Sequence, residues 1–342
     1  DLPRIEDNVH WNTEGVLTAG RLFAEAYLAK RAPVTSLLIR GHAQPGEMVE
    51  GKLLHDGLTR EFLLHIPPGC EGPVPLVMVF HGGGGTARST ANFSGFNELS
   101  RRHGFLLAYP QGVDNHWNDG RKGEKFKEHS EKIDDVGFVL ALLDELNREF
   151  AVNENAVFAT GISNGGIFCH RLAAEASARF TAVAPVIGGM AEPVSLDFHP
   201  GAPVSVLIMN GTEDPFVPYA GGEVTPHLFP RMAGLVRPAS RGRVTSTDHA
   251  IELWLKHNRL DVEPATSMLP DTDPGDETEV EYTEWTGEDG FPCVARYRII
   301  GGGHTYPGGQ QYLPERIIGK TCRDFRAQEE IWRFFARHVE SQ

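Results

Sequence analysis

Ala156-Val157-Phe158-Ala159-Thr160-Gly161-Ile162-Ser163-Asn164-Gly165 carries an apolar, buried-looking stretch straight into a serine flanked by glycines. Beyond it, Ile167, Cys169, Leu172, Ala173 and Ala176 recur at helical spacing. A strand that turns through G-x-S-x-G into a helix needs small residues two positions either side of the serine. They let neighbouring backbones close in while the hydroxyl is thrust out at the carboxyl edge of a sheet. The helix start also aims amide groups at that point. The pattern occurs once in the chain.

The same rhythm extends outward. An alternating run at 59–66 precedes short apolar runs at 74–80, 105–109, 156–160, 182–186 and 204–209, each closed by a loop containing glycine or asparagine. Between them, Asp134 and Asp135 open a segment whose Val136, Val139, Leu140, Leu143 and Leu146 form one helical stripe. Further helices are expected at 246–259 and 327–339. The pattern predicts an α/β fold: a mostly parallel, open, twisted sheet with helices on both faces. The acidic stretch 264–289 reads as a surface excursion with one edge strand at 279–285. Residues 1–45 lack this rhythm and read as a helical extension, with one helix at 15–31, packed on a single domain at 46–342.

Composition narrows the function. With 342 residues, 40% hydrophobic and 23% charged, the chain suits a folded domain rather than a disordered one. No apolar run approaches the roughly 18 residues of a membrane span. A net charge of −14 disfavours a nucleic-acid partner. Four cysteines form no CxxC pair, and the 15 histidines make no H-E-x-x-H, so no metal is expected. The glycine run at 82–85 lacks a following Gly-Lys-Ser/Thr. Gly319-Lys320-Thr321 has Pro314 where a phosphate loop needs glycine. A first residue other than Met suits a trimmed chain.

A serine hydroxyl is a poor nucleophile at neutral pH and requires a base, which requires an orienting acid; on such sheets the order is serine, acid, histidine. The run 204–209 ends in Asn210-Gly211-Thr212-Glu213-Asp214-Pro215, which nominates Asp214, with Glu213 as runner-up expected to point the other way. His304 stands among glycines in 301–309, with room to swing against the serine. The negative oxygen of an acyl-transfer intermediate must meet prearranged donors. The amide of Asn164 and that of Gly82 or Gly83 are the candidates. Trp117 either walls a substrate pocket or packs under its own loop.

The blocks His81-Gly82-Gly83-Gly84, Tyr109-Pro110-Gln111-Gly112, Trp117-Asn118, Asp134-Asp135-Val136-Gly137, Gly161 to Gly166, Gly211-Thr212-Glu213-Asp214 with Val217-Pro218-Tyr219, and Gly302 to Gly309 follow in order. In them the chain, from about residue 58 to 338, resembles the poly(3-hydroxybutyrate) depolymerase and feruloyl or acetylxylan esterase group of the α/β-hydrolases. The resemblance implies a cofactor-free triad of Ser163, Asp214 and His304, and export to a secreted or periplasmic location. Members of this group cleave hydroxyacid polyesters, cinnamoyl and acetyl esters of polysaccharides and, in some relatives, the amide backbone of poly(aspartic acid). Trp117 and Tyr306 are the candidate substrate-binding aromatics. Between 215 and 244 one acid, Glu223, faces Arg231, Arg237, Arg241 and Arg243. Arg237, Arg241 and Arg243 could therefore line a basic rim for a substrate bearing carboxylates. A polymeric or oligomeric ester is the expected partner, with a polyanionic amide as the alternative. A non-catalytic polymer binder on the same scaffold is disfavoured by the complete set of triad residues.

Overall fold

In the computed structural model the described residues are 38–39, 46–69, 72–225 and 239–340. The expected helix at 15–31, Cys70, Arg231 and Arg237 lie outside them. The strands are β1 (Leu38–Ile39), β2 (Met48–His55), β3 (Leu58–His65), β4 (Val74–Phe80), β5 (Leu106–Pro110), β6 (Val152–Ile162), β7 (Ala182–Val186), β8 (Ser205–Gly211), β9 (Gly222–Glu223), β10 (Arg243–Val244), β11 (Ala265–Met268), β12 (Glu279–Thr286) and β13 (Cys293–Ile300).

Successive side chains on a strand face opposite ways, so a strand covered on both sides must be apolar throughout. On β4, Leu76, Met78 and Phe80 enter one core while Val77 and Val79 enter the other. Helices Asp135–Phe150, Asn164–Glu175 and Thr247–Asn258 contribute to the first core. Ala87–Phe93, Phe96–His103 and Ala327–Glu340 seal the second.

Eleven strands form one sheet in the order β1-β2-β3-β5-β4-β6-β7-β8-β13-β12-β11, with β9 and β10 as a separate ribbon. From β5 across to β13 the neighbours are parallel; both margins are antiparallel. The expected edge strand is β12, but it is not at the edge, because β11 pairs outside it. All four residues of β11 are exposed, so it lacks the buried-face alternation that marks a strand in sequence. β2 was not foreseen either. It forms a hairpin with β3 through Asp56-Gly57, both with positive φ (48° and 76°), the conformation that an Asp-Gly turn favours. The central result is that β6, β8 and β13 all run the same way and release their loops at one end of the sheet, where open α/β sheets build their sites.

Candidate active site

Ser163 links β6 to the helix Asn164–Glu175 with φ 56° and ψ −118°, a conformation that costs a non-glycine residue free energy. Surrounding contacts hold it there. The Ser163 N–H donates to the Val186 carbonyl at 2.9 Å. A Cβ on Gly161 would lie 2.6 Å from the Gly165 carbonyl carbon, and one on Gly165 would lie 2.5 Å from the Phe80 oxygen. Glycine at these positions is therefore a packing requirement, as the sequence pattern suggests.

His304 Nε2 lies 2.9 Å from Ser163 Oγ, and His304 Nδ1 lies 2.7 Å from Asp214 Oδ2. The other carboxylate oxygen, Asp214 Oδ1, accepts the amides of Phe216 (2.7 Å) and Val217 (2.8 Å), which fixes the direction in which Oδ2 points. A carboxylate can only accept, so Nδ1 carries the proton and Nε2 presents a lone pair to the serine hydroxyl. Asp214 and His304 are buried and Glu213 is exposed. Two neighbours that the motifs did not reveal steady the histidine: the Tyr312 hydroxyl donates to its carbonyl at 3.1 Å, and the Phe216 ring centre lies 5.1 Å from its own.

The glycine loop adjoins the serine. A Cβ on Gly82 would sit 3.6 Å from Ser163 Cβ, and one on Gly83 would sit 3.6 Å from Asn164 Cβ. The amides of Gly82, Gly83 and Asn164 donate to no group among the described residues. Preceding them, His81 is fully buried; its Nδ1 lies 2.8 Å from the Gly82 carbonyl and its Nε2 accepts the Gly112 amide at 2.9 Å. Burial lowers its pKa to about 4, so the ring is neutral and donates from Nδ1.

The expectation that Trp117 and Tyr306 bind substrate needs correction. Trp117 has no exposed surface: its ring stacks on Phe168 and its indole N–H donates to the His81 carbonyl at 3.0 Å. Packing beneath the loop is the reading that fits. Tyr306 is also buried, with its hydroxyl inside and its ring edge against Phe93. Both aromatics are packing residues of the interior. Arg243 is exposed and pairs with Glu192 at 3.2 Å, whereas Arg241 is half-buried, its pKa lowered by burial and by the neighbouring Arg121.

Asp276, Cys322 and Asp324 bring possible ligand atoms within 4.8 Å of one another. The two carboxylates are already occupied by amides: Thr278 and Arg323 on Asp276, and Thr272 and Asp273 on Asp324. That arrangement closes turns.

Compared with known proteins, the chain is 32% identical over 271 residues to the putative esterase NocK of Nocardia uniformis, covering 78% of this chain and 76% of NocK. It is 27% identical to feruloyl esterase C of Emericella nidulans, covering 50% of this chain and 60% of that protein. It is 28% identical to poly(3-hydroxyalkanoate) depolymerase C of Paucimonas lemoignei, covering 36% of this chain and 30% of the depolymerase. No family model matches the chain.

Proposed function

Because this chain belongs to the poly(3-hydroxybutyrate) depolymerase and feruloyl esterase group of the α/β-hydrolases, we propose that it hydrolyses carboxylic esters through an acyl-enzyme formed on Ser163. The observation that carries this reading is the row Ser163 Oγ, His304 Nε2, His304 Nδ1, Asp214 Oδ2, with spacings of 2.9 and 2.7 Å across its two hydrogen bonds. Ser163 Oγ attacks the ester carbonyl as its proton passes to His304 Nε2. Asp214 keeps the imidazole oriented and stabilises its charge. The carbonyl oxygen becomes an oxyanion facing the amides of Asn164 and the glycine loop. Collapse expels the alcohol, which takes the proton from Nε2. Water then repeats the sequence on the acyl-enzyme, giving up a proton to Nε2, releasing the acid and restoring the serine.

The relatives named for esters favour ester over amide cleavage. Within esters, hydroxyacid oligomers and feruloyl or acetyl esters of polysaccharides are the proposed substrates, and export would bring the enzyme to them. Turnover of p-nitrophenyl butyrate tests the reaction class. Wild type should hydrolyse it and accept a fluorophosphonate label, and S163A should do neither; activity retained in S163A would refute the assignment. A panel of hydroxybutyrate oligomers, methyl ferulate and acetylated xylan then selects the substrate.

A further inference from the structure

A trans peptide is planar, with its N–H pointing opposite to its C=O, so a hydrogen bond that ties down the carbonyl also aims the amide. The Gly82 amide shares its peptide with the His81 carbonyl, which accepts the Trp117 indole N–H at 3.0 Å. The Gly83 amide shares its peptide with the Gly82 carbonyl, tied by His81 Nδ1 at 2.8 Å and the Gly85 amide at 2.9 Å. The Asn164 amide shares its peptide with the Ser163 carbonyl, which accepts the Ile167 amide at 2.8 Å.

Trp117 also reaches the opposite side. Its main-chain N–H donates to Asn164 Oδ1 at 2.8 Å, and its carbonyl accepts Asn164 Nδ2 at 3.0 Å. The same Nδ2 approaches Asp119 Oδ2 at 2.6 Å. One residue therefore grips the glycine loop through its indole and the nucleophile's helix through its backbone. Its ring has no freedom to shift: Phe168 lies parallel at 5.1 Å between ring centres, and Phe80 meets it edge-on at 5.3 Å. The loop itself is anchored, since Asp135 accepts the Asn118 amide and Arg171 donates to the Asn118 carbonyl, both at 2.7 Å.

We infer that Trp117 is a positioning residue of the oxyanion site, fixing the separation between the donor peptides of the glycine loop and that of Asn164. The inference rests on the proposed serine-esterase reading. Trp117 touches no reacting atom; it acts through the His81–Gly82 peptide and the Asn164 side chain. Rate is sensitive to such placement because the donors must meet the oxyanion rather than the ground-state carbonyl.

W117F keeps an aromatic ring on Phe168 and deletes the N–H donor. With p-nitrophenyl butyrate, kcat should fall on the order of tenfold, part of the roughly 10²–10³ measured when an oxyanion donor is removed outright. KM should stay within about twofold, and affinity for an alkyl trifluoromethyl ketone should fall in parallel with kcat, the signature of an interaction made in the transition state. If W117F does not fold, site-specific benzothienylalanine at 117 replaces the N–H by sulfur while keeping the bicyclic shape. Unchanged kcat and ketone affinity in a folded variant would overturn the inference, whatever its thermal midpoint. S163A run alongside separates the two readings: turnover surviving in S163A refutes the serine mechanism itself, whereas turnover lost in S163A but unaltered in W117F refutes only the role of Trp117.

Discussion

Arg60 Nη2 on β3 and Asp135 Oδ1 at the start of the helix Asp135–Phe150 form a buried ion pair at 2.5 Å, and the second Asp135 oxygen holds the Asn118 amide. The guanidinium lies over the Phe138 ring, 3.9 Å from its centre. Burying two charges is expensive, and the pair is worth most when neither partner is removed alone. Asp135 therefore joins the sheet margin to the loop that carries Trp117.

Asp135→Ala should destabilise the protein by about 3–5 kcal/mol, because Arg60 is left charged and unpaired in an interior site. Urea unfolding measures the loss. A companion Arg60→Met, Asp135→Leu protein should recover much of it, since no lone charge remains.

Asp214→Asn should leave the fold and KM close to wild type while lowering kcat by about 10⁴, because an amide at this position no longer holds His304 in the tautomer that accepts the serine proton. Steady-state kinetics on p-nitrophenyl butyrate, with circular dichroism as the folding control, provides the check. A loss below tenfold would mean that Asp214 is not the orienting acid.

Gly165→Ala places a methyl carbon 2.5 Å from the Phe80 carbonyl oxygen and 2.6 Å from that of His81. Main-chain atoms cannot give way as a flexible side chain can, so a loss of about 1–3 kcal/mol is expected. Fluorophosphonate labelling should fall further than stability does, because the displaced strand end carries the glycine loop.

Acid should weaken the fold through buried histidines. Burial lowers the pKa of His81, His170 and His338 from 6.5 to about 4. The unfolded chain takes up protons near pH 6.5 and the folded chain only near 4, so stability is complete above 6.5 and declines as pH falls between these limits. Each such group contributes up to about 1.4 kcal/mol per pH unit in that window. Urea midpoints at pH 7, 5.5 and 4.5 should show this decline, and H338Q should make it shallower; a slope identical to wild type would exclude His338 as a contributor.

Ser163, Asp214 and His304 were legible because each is announced by its own neighbourhood: a strand-like run, then glycines that permit a sharp loop. Their meeting follows from the parallel order of β6, β8 and β13, which the alternating pattern anticipates. Trp117 could not be assigned that way. Its partners, His81 and Asn164, lie 36 and 47 residues distant in sequence, and nothing local distinguishes an indole that braces two peptides from one that lines a pocket. β11 escaped because it buries nothing, and the pairing of Arg243 with Glu192 was hidden because the two lie 51 residues apart.

The sharp turn at residue 163 is held by main-chain contact with Val186 and by the absence of side chains at 161 and 165, none of which involves the hydroxyl. Deleting that oxygen should therefore leave an inert receptor of native shape. S163A soaked with intact esters offers a direct route to seeing which acyl and alcohol groups the cleft accommodates before any bond is broken.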